Sequence, residues 1–435
     1  MSSLTIGYLS MPALIVLLLL RVPIGVALAG VAIGGLAIVA NFRVSLSLLS
    51  TVPFDLIGDW SLSAIPMFML MGYICTETGL TTNLFRAARV LLAGLPGGLA
   101  ISSVAACTLF AAASGSSVAT AAGMSRIAVP EMLRHKYDPG LATGCVASAG
   151  TLGSLIPPSI LMVVYAVFAG FSVSKLFMAG VLPGLLSALM FSLMIVIRVR
   201  LKPSLAPDDT TRPSFRERMA VIGEAWPLPV LIFGVLGGIY LGWCTPTEAG
   251  AIGAALAVLI ALMRGQLRLG PLGDAVRLAA EGTASLFIIA VGAGLYGRFL
   301  GLTGVPASLT ATLAASDAGP LMVVLMICVV YLILGCFIDS IGIMLLTAPI
   351  MIPILRDVGI DLLWFGIIVV KLLEIGLVTP PVGLNVFVIK STLGNAVSLT
   401  TVFRGATWFI LTDLVTLALL IAFPAISLLL PSIMD

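Results

Sequence analysis

The chain has 435 residues, 60% of them hydrophobic and only 9% charged, and its mean hydropathy is +1.20. A water-soluble domain carries about 25% charged residues, so a surface this poor in charge belongs in lipid. Spanning structures must be helices or closed barrels, and barrel strands alternate apolar and polar residues. Continuous runs such as PALIVLLLL and FIIAVGAG therefore point to helices. A net charge of +3 gives no reason to expect nucleic acid as a partner. His135 is the sole histidine, which argues against a histidine metal site. The six cysteines (75, 107, 145, 244, 328 and 336) lie in apolar surroundings without metal spacing and read as small buried hydrophobes.

The N-terminal MSSLTIGYLSMPALIVLLLLR lacks a basic leader, and its only charge follows the apolar run. It reads as a first span rather than a cleaved signal. Apolar segments near 4–20, 23–39, 63–80, 140–168, 176–198, 227–243, 246–263, 283–299, 361–388 and 405–430 are each long enough to cross a bilayer. Two more, about 95–133 and 320–355, are interrupted by polar or glycine-rich stretches. Basic residues stand at Arg21, at Arg86 and Arg89, at Arg126 and Arg134 to Lys136, at and along the polar linker 201–224 (Arg198, Arg200, Lys202, Arg212, Arg216 and Arg218), at Arg264 and Arg268, and at Lys390. The positive-inside rule assigns these to the cytoplasm. The linkers 40–60, 170–175, 243–246, 301–319 and 356–361 are poor in basic residues and are assigned to the other side. Both assignments hold only if 95–133 and 320–355 each enter and leave on one side, as re-entrant hairpins. Non-helical backbone at their tips is tolerated only where it lines a cavity.

Shifted by 223, the sequence matches itself. Pro23 meets Pro246, Gly30 meets Gly253, Pro130 meets Pro353, Gly153 meets Gly376, and Pro157-Pro158 meet Pro380-Pro381. The expected organisation is a first repeat at 1–200, a cytoplasmic linker at 201–224 and a second repeat at 225–435. Each repeat holds five spans, one of them broken (about 140–168 and 361–388), and one hairpin. An odd number of spans turns the second repeat upside down. Inverted repeats with discontinuous helices mark secondary transporters that bind substrate near mid-membrane.

The first hairpin has its tip at Ser114-Gly115-Ser116-Ser117. Small residues also serve close helix packing, but a polar cluster at a turn points to cation ligation by carbonyls and hydroxyls, with helix N-terminal amides facing an anion. In the second hairpin Asp339 and Ser340 take the places of Ser116 and Ser117. A carboxylate between two apolar runs is costly and marks function. The proline pairs Pro157-Pro158 and Pro380-Pro381 remove backbone donors and break their helices. Carbonyls near Gly153, Ser154 and Ile156, and near Gly376 and Val378 with the Thr379 hydroxyl, are then available to a hard cation. Lys371 and Glu374, spaced i, i+3, read as a structural ion pair ahead of a proton relay. Tyr165 and Asn385 lie just past the breaks, where two readings stand: contact with substrate, or an inter-helix hydrogen bond. Arg298 reads as a snorkelling anchor ahead of an anion contact. No GxxxxGK[ST] run and no nucleophile–histidine pair is present, so neither an ATP-driven motor nor an enzyme is indicated.

At GLVTPPVGLNVFV, with KLLEIG before it and ASGSSVAT in the first half, the chain resembles the large membrane subunit of a TRAP (tripartite ATP-independent periplasmic) transporter over essentially its whole length. The resemblance implies a bacterial inner-membrane permease that imports organic acids, usually carboxylates, on a Na⁺ gradient, with no other cofactor. It implies two partners, a separate four-helix membrane subunit lying against the scaffold and a periplasmic binding protein. It implies an elevator in which hairpins and broken helices slide as one unit. One Na⁺ site would use Ser114, Gly115, Ser116 and Ser117 with Gly153, Ser154 and Ile156. The other would use Asp339 and Ser340 with Gly376, Val378 and Thr379. The substrate carboxylate would sit between the tips. The competing readings are a stand-alone dicarboxylate carrier of similar fold, an intramembrane enzyme built on Asp339 and Glu374, and a passive channel.

Overall fold

The computed structural model describes residues 2–80, 82–207, 213–315 and 319–433. Arg212 with part of the inter-repeat linker, and 316–318 of the 301–319 linker, lie outside the described residues. Every element among the described residues is helical.

The first half opens with α1 (Ser3–Leu19), started by the Ser2 hydroxyl accepting from the Thr5 amide. Pro23 leads into α2 (Ile24–Val39), and Asn41 caps α3 (Phe42–Ile57). Then come α4 (Ala64–Glu77), α5 (Thr82–Leu91), α6 (Gly98–Ser114) and α7 (Ser117–Arg134). Asp138 caps α8 (Pro139–Thr151), which is followed by α9 (Ile160–Ala169) and α10 (Val173–Leu201). The linker contributes α11 (Phe215–Ala225), started by a Ser214–Glu217 capping box.

The second half follows a similar order of elements. It runs α12 (Pro227–Tyr240), α13 (Pro246–Met263), α14 (Leu269–Thr303), α15 (Val305–Ala315), α16 (Pro320–Gly335), α17 (Ser340–Asp357), α18 (Leu362–Gly376), α19 (Leu384–Leu393) and α20 (Leu399–Ala422). At the register of 223, α7 and α17 coincide at both ends, and the N-caps Asp138 and Asp361 coincide ahead of α8 and α18. One departure is that α3 and α4 bend by 55° where α14 runs straight.

By length and composition, five described helices suffice to cross a membrane: α10, α13, α14, α17 and α20. The number reaches seven if the bent pairs α3–α4 and α11–α12 each count as one span. The broken spans cross only as pairs. Helices α8 and α9 have 13 and 10 residues, about 20 and 15 Å, which together match a hydrocarbon core of about 30 Å. Two expectations are corrected here: 40–60 and 301–319 are not plain linkers but contain α3 and α15. In α3 the polar residues bond back to their own helix, Ser50 and Thr51 both to the Ser47 carbonyl, so their hydroxyls are satisfied within it.

Packing forms two groups of helices, each drawing on both halves, and they meet where α17 lies on α14. In one, α2 lies on α14 and α4 on α13; in the other, α8 lies on α20, α7 on α8 and α19, and α16 on α18. Glycines set the closest crossings. A Cβ on Gly144 would fall 2.3 Å from the Gly405 carbonyl carbon, so α8 and α20 touch backbone to backbone. Four of the basic residues assigned to one side pair with neighbouring acidic residues or carbonyls. Arg86 pairs with Glu224 at 3.0 Å, Arg89 and Arg134 with Glu131, and the Arg264 guanidinium donates to the Glu224 carbonyl.

Candidate functional site

Helix α6 ends at Ser114 because Gly115 turns the chain with a φ of +60°, a conformation that favours glycine. Ser116 then caps α7, its hydroxyl accepting from the Ala119 amide at 3.4 Å. This tip docks on the break of its own half. The Ser117 hydroxyl donates to the Thr151 carbonyl at 3.0 Å and lies 2.5 Å from the Ser154 hydroxyl. The Ile160 amide donates to the Gly115 carbonyl at 3.3 Å. Gly153 packs flush on the tip, and a Cβ there would sit 2.8 Å from the Ser116 carbonyl. The Ser154 carbonyl accepts from the Ser159 hydroxyl, so one of its lone pairs is taken. Ser114 bonds Thr120 at 2.7 Å. Thr120 and Ser159 thus join the predicted serines in one polar cluster, to which Thr151 adds its carbonyl.

The second tip follows the same frame with different chemistry. Asp339 caps α17, its carboxylate accepting from the Gly342 amide at 3.0 Å. The Ser340 hydroxyl donates to the Leu373 carbonyl at 3.4 Å, and the Val382 amide to the Cys336 carbonyl at 3.3 Å. Gly376 touches Gly335 with no room for a side chain, a Cβ there lying 2.8 Å from the Gly335 Cα. The Gly376 carbonyl accepts from the Thr379 amide, and the Thr379 hydroxyl donates to the Ile375 carbonyl. Across the break the Asn385 amide donates to the Leu377 carbonyl at 3.0 Å. Both proline pairs have cis peptide bonds.

The two tips meet in one cavity of about 130 Å³, lined by Gly115, Ser116, Ser117 and Ser154 from the first half and by Asp339 and Ser340 from the second. Ser114, Gly153, Ile156, Gly376, Val378 and Thr379 do not line it; they stand behind the lining. Four helices begin at this cavity. It is lined by Ser117 and Val118 of α7, Ile160 and Leu161 of α9, Ser340 and Ile341 of α17, and Leu384 of α19. A helix N-terminus carries unsatisfied amides and roughly half a positive charge, so four starts aimed at one small space favour an anion. The Asp339 carboxylate in the same space favours a cation beside it. Each tip also rests on the break of a span, between α8 and α9 in the first half and between α18 and α19 in the second.

The remaining candidates lie elsewhere. The buried Tyr165 hydroxyl donates to the Leu362 carbonyl at 2.9 Å, and the Asn385 side chain donates to the Ala147 carbonyl at 3.1 Å. Each ties the broken span of one half to that of the other. The Asn385 Oδ1 is buried without a protein partner. Arg298 pairs with Asp55 at 3.4 Å and lines a separate 550 Å³ cavity beside α17, with Phe168, Pro349 and Asp357 on its wall. Lys371 pairs with Glu374 at 3.1 Å and also with Asp413 at 2.5 Å and Ser187 at 3.1 Å, all fully buried. Asp413 was out of reach of sequence spacing, since it lies on another helix, α20.

Hairpin tips that meet broken helices around a small polar cavity are the pattern of secondary transporters with discontinuous helices. In fold the chain is similar to a solved transporter, YdaH of Alcanivorax borkumensis, with a TM-score of 0.62 over 88% of this chain and 89% of that one, at 14% identity. The chain belongs to the family described as tripartite ATP-independent periplasmic transporter, DctM component, which matches residues 11–426. It is 40% identical to a C4-dicarboxylate TRAP transporter large permease protein of Pseudomonas aeruginosa, covering 87% of this chain and 88% of that one. It is 30% identical to a sialic acid TRAP transporter large permease protein of Vibrio cholerae, covering 87% of each.

Proposed function

We propose that this chain is the permease that moves a compact organic acid anion across the bacterial inner membrane with Na⁺ as coupling ion. The observation that carries the reading is the convergence of four helix starts and one carboxylate on a single cavity. The helix starts suit the carboxylates of the substrate; Asp339 and the surrounding hydroxyls and carbonyls suit Na⁺. One ion belongs with Ser114 to Ser117, Gly153, Ser154 and Ile156, the other with Asp339, Ser340, Gly376, Val378 and Thr379. A volume of about 130 Å³ is below the 300–1,000 Å³ typical of drug-sized ligands. That favours a small acid, of the C4-dicarboxylate class named for the Pseudomonas relative, over a sugar acid. The two packing groups suit an elevator in which the hairpins and broken spans slide against the scaffold that contains α2, α4, α13 and α14. The word tripartite in the family's description supports two partners, a second membrane subunit and a periplasmic binding protein.

The test is uptake of succinate by proteoliposomes containing the permease with its partners, for wild type and Asp339→Asn. Asparagine keeps the cap on α17 and removes the charge. A charge-assisted contact is worth about 1.5–3 kcal/mol, so Na⁺-driven uptake is expected to fall roughly 10- to 100-fold with unchanged thermal stability. Wild-type uptake and Na⁺ dependence in the variant would sink the assignment.

A further inference from the structure

We propose that the groove between α10 and α20, on the outside of the hairpin group, holds one anionic phospholipid. The groove encloses about 810 Å³ and has two parts. At one end stand Arg198, Lys202 and Arg404; deeper, the walls are Leu193, Met194 and Val415. Asp138 also lines the charged end, but its carboxylate already caps α8 through the Leu141 amide. The cations still outnumber it by two. Neither Lys202 nor Arg404 enters an ion pair among the described residues. The Arg198 guanidinium lies over the Trp408 ring, 4.8 Å from its centroid, and its Nη1 is buried with no hydrogen-bond partner. A buried, unpartnered guanidinium nitrogen beside two further cations suits a phosphate.

Length decides between a lipid and a partner helix. From Arg198 to Met190 and from Arg404 to Val415 the groove runs about 12 and 17 Å at 1.5 Å per residue, close to half of a hydrocarbon core of about 30 Å. That is the depth of one leaflet, so it accommodates the acyl chain of a single lipid, whereas a membrane helix would need the full thickness. The charged end is also the end at which Arg89, Glu131 and Arg134 gather, since α8 starts directly after α7. The positive-inside rule gives this end to the cytoplasm, where anionic headgroups attract basic clusters between helices.

Trp408 reports on occupancy, because it lines the groove and is half-exposed. The full chain is reconstituted with its membrane partner in phosphatidylcholine, and brominated phosphatidylglycerol or brominated phosphatidylcholine is titrated in. The Trp408 signal is the quenching lost in Trp408→Phe. Phosphatidylglycerol is expected to quench it with about tenfold preference, and Arg404→Gln, a change at an exposed side chain, to cut that preference about fivefold. Arg198→Gln with Arg404→Gln should bring it near unity, and inorganic phosphate should not displace the lipid. Equal quenching by both lipids would overturn the proposal, as would displacement by inorganic phosphate, which means a free anion site. Shielding of Trp408 from both lipids in the assembled complex would overturn it in favour of a protein helix.

Discussion

The two tip-and-break units share a backbone frame and differ in what they put on it. The first is neutral and buried at its break: six hydroxyl side chains surround it, and Pro157 and Pro158 are buried. The second is charged and open. Asp339 replaces Ser116, and Pro380 and Pro381 are exposed. Burial holds the first break in place, whereas the helix ahead of the second carries an ionic cluster, tied to Ser187 of α10, at positions that are uncharged in the first half. At the register of 223, Lys371, Glu374 and Asp413 answer to Ser148, Thr151 and Met190. The lesson is that a duplicated frame fixes where carbonyls and helix starts lie, while single substitutions decide whether a site is neutral or anionic.

The largest effect expected from this contrast is on stability. Lys371→Met leaves Glu374 and Asp413 buried without their cation, which costs about 3–5 kcal/mol. The thermal midpoint should fall sharply, and neutralising all three positions together should restore most of it. A small change in the single variant would mean that the second break does not depend on the cluster. The glycines separate the units next. Gly153→Ala drives a methyl into the Ser116 backbone at the cavity wall, whereas Gly376→Ala meets Gly335, upstream of its tip. Overpacking of this kind costs about 1–3 kcal/mol in either case. Gly153→Ala should in addition raise the Na⁺ concentration for half-maximal uptake about tenfold, if that 1–3 kcal/mol falls on ion binding; equal Na⁺ curves for the two variants would erase the distinction. The smallest effect belongs to Ser117→Ala, which loses its bonds to Thr151 and Ser154. A neutral hydrogen bond is worth about 1 kcal/mol, so uptake should drop only about fivefold.

Much of this frame was legible because glycine and proline act through the backbone. Their spacing at 223 marked both breaks and both hairpins, and at that shift α7 and α17 have the same bounds. The hydroxyls of Thr120 and Ser159 carried a readable signal as well. Thr120 sits one turn into α7 beside Ser116, and Ser159 follows the prolines at a capping position. Helices α3 and α15 escaped because hydropathy windows respond to lipid-facing runs rather than to helicity. Asp413 and the convergence of α7, α9, α17 and α19 escaped for another reason. Both depend on which helices pack together, and no local pattern encodes that.

The central claim is that one cavity is shared by tips from opposite halves, and cysteine protection tests it most directly. Val118→Cys and Ile341→Cys, each in a background with Cys244 and Cys336 changed to serine, place one thiol on each side of the cavity. Labelling by a permeant maleimide is then followed as succinate and Na⁺ are raised together. The account requires both thiols to be protected, with the same half-saturating concentration. Protection of one thiol and not the other would contradict it.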